Sequence, residues 1–246
     1  MRTQITLLTI LTALCLVLGT DTSRACERPL TLKGKGGMEL PGMLAIPCGL
    51  ENDQVKHAVI LVHGSGPSNM DGDLTAVTRD NKKNLLLKDV SDVLIKEGFA
   101  VIRYDKRSYI WQTKIQKDPK LATDPSLPDF QKNAYAYLIA DVKQAVAWSK
   151  KNLKNARVSL LGQSQGTYIA LQVAHQNPDI TGVALWGFYA TSLGALAYSQ
   201  IVHRTLAQLK RLDVNSDGLW SAGELSKGPP NVAGIAGLLG KIDRDG

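Results

Sequence analysis

Residues 157–166 read Arg-Val-Ser-Leu-Leu-Gly-Gln-Ser-Gln-Gly, and this stretch is the most informative part of the chain. A short aliphatic run leads into the pattern Gly162-x-Ser164-x-Gly166, and apolar residues then follow at helical intervals through Ala174. A serine on a sharp turn between a strand and a helix is typical of a nucleophile elbow. Such a turn leaves little room for side chains two residues before and after the serine, which accounts for both glycines. The stretch therefore favours an enzyme with a serine nucleophile over a flexible serine-glycine turn.

Strand-like and helix-like patterns alternate on both sides of this turn. Continuous apolar runs predict strands that are buried on both faces, and apolar residues at helical spacing predict the helices between them. The predicted strands are an opening hairpin within 31–46, then 57–62, 99–104, the elbow strand and 182–187. The predicted helices are 85–96, 131–151 and the one after the elbow, whereas 106–129 has no period and predicts a loop. This alternation predicts an α/β fold with a doubly wound, mostly parallel sheet.

The first 25 residues predict a secretory signal peptide. Arg2 precedes an apolar run over 5–18, which is too short to span a bilayer comfortably, so no transmembrane span is expected. The protein would be exported to a periplasm or the extracellular space, and a lipid anchor on Cys26 is the alternative. Removing the signal leaves Cys26 and Cys48, an even pair that suggests one disulfide. Two unrelated thiols are the other reading of this pair.

The net charge is +7, but the lysines and arginines are scattered, with acidic residues close to each short cluster. No aromatic residues interleave with the basic ones as they do in nucleic-acid interfaces. The charge therefore indicates a solvated basic surface, and we expect no nucleic-acid partner.

A second glycine-rich turn, His63-Gly64-Ser65-Gly66-Pro67, follows the first buried strand. Acyl transfer converts a carbonyl oxygen into an oxyanion, which preorganised backbone N–H groups stabilise. Glycines let the main chain approach the reacting atoms closely. We expect the backbone N–H groups of Ser65 and Gln165 to be the two donors of an oxyanion hole. An ordinary turn at the end of a strand is the alternative.

In these segments the chain resembles the α/β-hydrolase superfamily, in particular serine esterases and peptidases with an H-G-S-G-P oxyanion loop. The matching segments are 63–67 with 70–72 just beyond, 98–107 and 162–166, and the resemblance covers residues 29–190. It implies hydrolysis of a small carboxylic ester, or of an amide or peptide, through an acyl-enzyme on Ser164, with a histidine base that an acid orients. Asp105 matches a structural position of the family, which implies that it holds its loop through hydrogen bonds. Ser108 departs from the pattern, because relatives commonly have glycine there.

The catalytic histidine and acid are not evident in this chain. In this fold both follow the nucleophile, at the ends of later strands. His175 and His203 come after Ser164 but fall in predicted helices, whereas His57 and His63 come too early in the chain. We therefore expect the histidine and the acid to be absent from this chain, and the chain alone to be inactive.

Residues 213–224 match the EF-hand calcium loop at every fixed position. An apolar stripe within 201–212 predicts the entering helix, and Gly218 permits the sharp turn of the loop. The expected calcium ligands are Asp213, Asn215, Asp217, the Leu219 carbonyl, Ser221 directly or through water, and bidentate Glu224. A turn that is merely rich in Asp and Asn is the alternative.

The chain ends at 241–246 with Lys-Ile-Asp-Arg-Asp-Gly, which is how a second calcium loop begins. We therefore expect a signal peptide over 1–25, an incomplete hydrolase core over 26–195, and a truncated, helical, EF-hand-like lid over 196–246. The last strands of the fold would be absent. Calcium would stiffen the lid without taking part in bond cleavage. A non-catalytic, calcium-dependent binding protein on a hydrolase-like scaffold is the competing functional hypothesis.

Overall fold

The structure, a computed structural model, describes residues 24–75 and 82–228. Most of the predicted signal peptide and the start of the second calcium loop at 241–246 lie outside these residues. The chain separates into two compact units, and the division falls after Phe188. The expected boundary after residue 195 stays a prediction; the sixth strand of the described residues ends at Trp186, and the chain leaves the sheet there.

A six-stranded sheet with the order β1-β2-β4-β3-β5-β6 forms the centre of the first unit. The strands are β1 (Ala25–Lys33), β2 (Glu39–Pro47), β3 (His57–Val62), β4 (Ala100–Tyr104), β5 (Arg157–Gln163) and β6 (Ile180–Trp186). The first two pairings, β1 with β2 and β2 with β4, are antiparallel. The remaining pairings, among β4, β3, β5 and β6, are parallel.

Helices cover both faces of this sheet. They are α1 (Leu86–Lys96), α2 (Arg107–Lys117), α3 (Ser126–Lys132), α4 (Ala134–Asn152) and α5 (Gln165–His175). Successive residues of β3 point to opposite faces, so Ile60 packs in the core cluster that contains α4 and α5 while Leu61 packs in the cluster that contains α1. These observations confirm the predicted α/β fold with its doubly wound sheet.

The prediction of a loop over 106–129 is wrong. The segment forms α2, a 3₁₀ turn over Pro119–Thr123 and the start of α3. Only Arg107 and Trp111 of α2 are buried, so an ion pair and one aromatic ring anchor the helix, without an apolar stripe. A search for apolar periodicity therefore misses it. The helix predicted over 131–151 is likewise interrupted at Asn133, between α3 and α4.

A disulfide joins Cys26 to Cys48, with the two Cα atoms 4.9 Å apart. Cys26 lies near the start of β1, and Cys48 directly follows β2. The bond therefore closes the open end of the antiparallel hairpin that these strands form.

The described part of the second unit consists of short helices and the loops between them. The helices are α6 (Leu193–Ala197), a π-helical turn (Tyr198–His203), α7 (Arg204–Leu212) and α8 (Ala222–Leu225). Buried Leu209 and Leu225 form its small core, against which Leu212 and Trp220 pack. The Trp220 indole N–H donates to the Leu209 carbonyl at 2.8 Å, which ties the end of the intervening loop to α7. In neither unit do the described residues include a helix long and apolar enough to cross a membrane.

Candidate active site

Ser164 occupies the turn between β5 and α5 with a backbone that non-glycine residues rarely adopt. Its φ is 51°, and among the described residues only Ser216 shares a positive φ without being glycine. The Ser164 N–H donates to the Trp186 carbonyl at 2.8 Å, and the Thr167 N–H and Oγ1 donate to the Ser164 carbonyl at 2.9 and 2.6 Å. Strand β6 and the first turn of α5 therefore hold the conformation from both sides.

The two glycines that flank Ser164 are sterically required. A Cβ on Gly162 would lie 2.4 Å from the Gly166 carbonyl oxygen, inside the turn itself. A Cβ on Gly166 would lie 2.2 Å from the Val62 carbonyl oxygen, at the end of β3. Both obstacles are backbone atoms, which no side-chain rearrangement removes. The tight packing therefore presses the start of α5 against the strand that leads into the 63–67 loop.

The 63–67 loop docks on the elbow strand. A Cβ on Gly64 would lie 2.2 Å from Oε1 of Gln163, so a larger residue at this position would displace the Gln163 side chain from the loop. Ser65 is exposed and Ser164 is half-buried. Within residues 24–75 and 82–228, neither the Ser65 N–H nor the Gln165 N–H donates a hydrogen bond. Both predicted oxyanion donors are therefore available to a ligand.

A lysine that the sequence analysis did not single out links this loop to the elbow. The Lys106 ammonium donates to the Gly64 carbonyl at 2.5 Å, the Gly66 carbonyl at 3.0 Å and Oε1 of Gln165 at 2.9 Å. The side chain is buried, and this burial lowers the pKa of Lys106 to about 8. Its position directly after β4 and Asp105 was the one signal that the sequence offered.

Asp105 and Arg103 fix the chain beyond the loop. The Met70 N–H donates to Oδ1 of Asp105 at 2.7 Å, which is the role that the resemblance implied for Asp105. Burial raises the pKa of the Asp105 carboxyl above its usual range. The buried Arg103 guanidinium bridges the carboxylates of Asp71 and Glu27. Residues 70–71 are therefore held from β4.

A buried ion pair anchors the start of α2, next to Lys106. Nε and Nη2 of Arg107 donate to the two carboxylate oxygens of Asp141 at 2.9 and 2.5 Å, and both side chains are buried. The guanidinium also lies over the Tyr137 ring, 4.9 Å from its centroid. A Cβ on Gly34 would lie 2.6 Å from Oδ1 of Asp141, so glycine lets the β1–β2 turn cover the pair.

None of the three histidines that lie in the described part of the first unit is placed to activate Ser164. The His63 ring is buried edge-on against Tyr104, and burial lowers its pKa to about 3, which makes it a weak base. His57 begins β3, at the end of the parallel sheet opposite to Ser164. His175 ends α5, about 16 Å along the helix from its start.

The chain is similar in sequence to a known esterase. No protein-family profile matches it. Over 151 residues it is 30% identical to the esterase EstD of Thermotoga maritima, a stretch that is 61% of this chain and 30% of that protein. The chain therefore spans less than a third of the length of the curated relative that it matches. The similarity supports the α/β-hydrolase resemblance that the motifs carry.

Solved structures with partial backbone similarity include two bacterial or environmental esterases. A cold-adapted esterase from an Arctic intertidal metagenomic library has 17% identity and a TM-score of 0.44, over 65% of this chain and 60% of that one. Brefeldin A esterase, a bacterial homologue of human hormone-sensitive lipase, has 20% identity and a TM-score of 0.46, over 81% and 49%. Similarities at this level contribute nothing to the assignment of function.

The predicted calcium loop of the second unit is closed by its own amides. The N–H groups of Asp217 and Gly218 donate to the two carboxylate oxygens of Asp213 at 3.1 and 3.0 Å. Oε2 of Glu224 accepts from the Ser221 N–H at 2.9 Å, and Oε1 accepts from the Val214 N–H at 3.1 Å. These carboxylates therefore lie within one short loop and orient toward its backbone.

The shape of this loop suits a calcium ligand set, although its acidic side chains do not converge. Gly218 has a φ of +78°, as the sixth position of an EF-hand loop requires. Helix α8 begins at Ala222, so Glu224 lies in the first turn of a helix that leaves the loop. Among the described residues, no three His, Cys, Asp or Glu side chains cluster closely enough to hold a metal ion. Calcium binding by this loop stays a prediction.

Proposed function

We propose that the protein is an exported serine hydrolase of the α/β-hydrolase superfamily that cleaves carboxylic esters through an acyl-enzyme on Ser164. The observation that carries this proposal is the positive φ of Ser164 between Gly162 and Gly166. Backbone strain of this kind costs free energy and persists where the surrounding structure imposes it for a function. The similarity to an enzyme named as an esterase favours esters over peptides as substrates.

In the proposed reaction, Oγ of Ser164 attacks the acyl carbon and forms a tetrahedral intermediate. The N–H groups of Ser65 and Gln165 stabilise its oxyanion; the Gln165 N–H lies at the start of α5, where the helix dipole favours negative charge. The alcohol leaves with a proton, and water then attacks the acyl-enzyme to release the acid and regenerate the hydroxyl. A general base must accept the Ser164 proton in the first step and deliver it to the leaving alcohol.

We propose that residues 26–246 alone hydrolyse esters poorly. In the described part of the first unit, His57 and His175 lie away from the elbow and His63 is a buried, weak base. Without a base, a serine hydroxyl is a weak nucleophile. An imidazole supplied in solution would replace the missing base, because Ser164 is only half-buried and Ser65 of the neighbouring loop is exposed. This accessibility makes the nucleophile testable in the chain as it stands.

Labelling with a fluorophosphonate in the presence of imidazole tests the assignment. We expect mass spectrometry to find the label on Ser164, at a rate that rises with imidazole, and S164A to lose it. The matched controls are S65A, which keeps its backbone N–H and its labelling, and S65P, which lacks that N–H and is labelled about 100-fold more slowly. A label that persists in S164A, or that lies on another residue, contradicts the proposal.

The proposed calcium site belongs to the second unit, whereas Ser164 belongs to the first. Asp213, Asn215, Asp217, Ser221 and Glu224 would supply side-chain oxygens and Leu219 its carbonyl, which is an all-oxygen set that suits Ca²⁺. Bound calcium would screen the acidic side chains from one another and fix the 213–224 loop between α7 and α8. Its role is structural, because its ligands are all outside the elbow and the 63–67 loop.

Export is the proposed location. The apolar N-terminal segment and the bonded pair Cys26–Cys48 both support it, because disulfides persist mainly in oxidising compartments. If Ser164 takes no label, the competing hypothesis is a calcium-dependent binding protein that keeps the hydrolase scaffold without the chemistry. The closed loop at 213–224 is the observation that favours this second hypothesis.

A further inference from the structure

We propose that Lys106 is a positioning residue for the oxyanion hole, because its ammonium group joins the 63–67 loop to the residue that follows the nucleophile. This inference rests on the proposed function of Ser164. The supporting contacts are the three hydrogen bonds from Nζ to the carbonyls of Gly64 and Gly66 and to Oε1 of Gln165. All of these residues belong to the first unit.

The number of donors matches the number of acceptors. A protonated lysine has three N–H donors and no acceptor, and the three oxygens around Nζ take one donor each. A neutral amine has two donors and a lone pair, so one of the three oxygens would face that lone pair. The three acceptor oxygens therefore match the protonated form of Lys106. The Ser108 hydroxyl adds a further bond to the Gly66 carbonyl at 3.2 Å.

Holding the Gly64 carbonyl also orients the predicted oxyanion donor. In a trans peptide the C=O of one residue and the N–H of the next point in opposite directions. Since the Gly64 carbonyl points at Nζ, the Ser65 N–H must point away from Lys106. The hydrogen bond to Gln165 fixes this loop relative to the residue whose own N–H is the second donor. Lys106 thus sets the direction of one donor and its position relative to the other.

The charge on Lys106 is poorly compensated. Among the described ion pairs none involves Lys106, since Asp105 accepts from Met70 and the neighbouring Arg107 pairs with Asp141. Burial lowers the Lys106 pKa to about 8, from its ordinary value of 10.5. The titratable group that faces it is His63, whose pKa of about 3 keeps it neutral from pH 6 upward. Raising the pH through 8 therefore deprotonates the Lys106 ammonium, while the protonation state of His63 does not change.

Nuclear magnetic resonance of the full chain tests the hydrogen bonds of Lys106 to the 63–67 loop, independently of any reaction at Ser164. We expect the backbone amide signals of Ser65 and Gly66 to shift with pH, with a midpoint near the Lys106 pKa of about 8. In K106R the guanidinium stays charged over this range, so that transition should be absent. Loop amides that do not titrate in the wild-type chain, or that titrate equally in K106R, overturn the proposal.

Labelling of Ser164 with a fluorophosphonate and imidazole at pH 7 tests the consequence for the oxyanion hole. We expect K106M to be labelled about 10- to 100-fold more slowly than the wild-type chain, because small displacements of catalytic groups are costly. The matched control is K117M, which changes an exposed lysine at the end of α2 and should label normally. If S164A loses the label while K106M keeps the wild-type rate, the Lys106 proposal fails and the hydrolase proposal stands. If K106M does not fold, the wild-type titration still decides.

Discussion

Two serines with positive φ lie at the two candidate sites in the described residues, and they are held in opposite ways. Ser164, at φ 51°, lies on the elbow between β5 and α5, where contacts from distant parts of the chain enforce its conformation. Ser216, at φ 57°, lies in the 213–224 loop, where the nearby hydrogen bonds join residues of this one loop to each other. The first site is built by tertiary structure and the second by local sequence.

This difference implies different requirements for order. The elbow is fixed by the sheet, by glycines at contact distance and by the buried Lys106, so it needs no ligand to be in place. The 213–224 loop has three carboxylates and packs only on the small core of Leu209 and Leu225, so a bound cation would add much of its rigidity. We therefore expect the stability of the first unit to depend on packing and buried charge, and the stability of the second unit to depend on calcium.

The largest effect is expected from the buried ion pair that anchors α2. We expect D141N to lower the free energy of unfolding by about 3–5 kcal/mol, because it leaves the Arg107 guanidinium buried without its counter-charge. The matched control is D92N, which breaks an (i, i+4) pair with Lys88 on the exposed side of α1 and should cost less than about 1 kcal/mol. Urea unfolding followed by circular dichroism measures both, and equal costs would contradict the prediction.

A smaller effect is expected from filling the elbow. We expect G166A to cost about 3 kcal/mol, because the new Cβ would lie 2.2 Å from the Val62 carbonyl oxygen and the backbone must move. Hydrogen exchange at the ends of β3 and β5 should locate the change. The control is G194A in α6, where a Cβ meets nothing within 4 Å and alanine should favour the helix. If G166A is as stable as the wild type, the elbow does not require glycine at this position for steric reasons.

The order of strands and helices could be predicted because each buried strand is a continuous apolar run. Val59, Ile60 and Leu61 show no alternation in sequence, since both faces of β3 are covered, and this is typical of a parallel sheet. The elbow could also be predicted, because its steric demand falls on glycines at fixed spacing from Ser164. An element can therefore be predicted from local sequence when it is buried along its whole length, as β3 is, or when its steric requirement falls on neighbouring residues, as in the elbow.

Lys106, Arg107 and Asp141 could not be assigned roles from the sequence. Their function depends on which residues the fold brings together, and Arg107 meets Asp141 across 34 positions of chain. Helix α2 was missed for the same reason, because a pair of buried charges and one tryptophan anchor it in place of an apolar stripe. Tertiary ion pairs leave no periodic pattern, so the residues around the candidate site were harder to predict than the proposed nucleophile.

The smallest expected effect concerns the second unit and depends on added calcium. We expect calorimetry to detect calcium binding and the unfolding free energy of this unit to rise by about 2.7 kcal/mol when free calcium is 100 times the dissociation constant. D213A should remove both effects, because Asp213 is the predicted first ligand of the loop and its carboxylate accepts from the amides of Asp217 and Gly218. D53A, which changes an exposed acid of the first unit, should bind calcium normally. Since Trp220 packs against Leu209 at the end of the loop, its fluorescence should follow the titration. A chain that gives no heat at millimolar calcium would leave 213–224 as an ordinary turn, closed by hydrogen bonds between near neighbours.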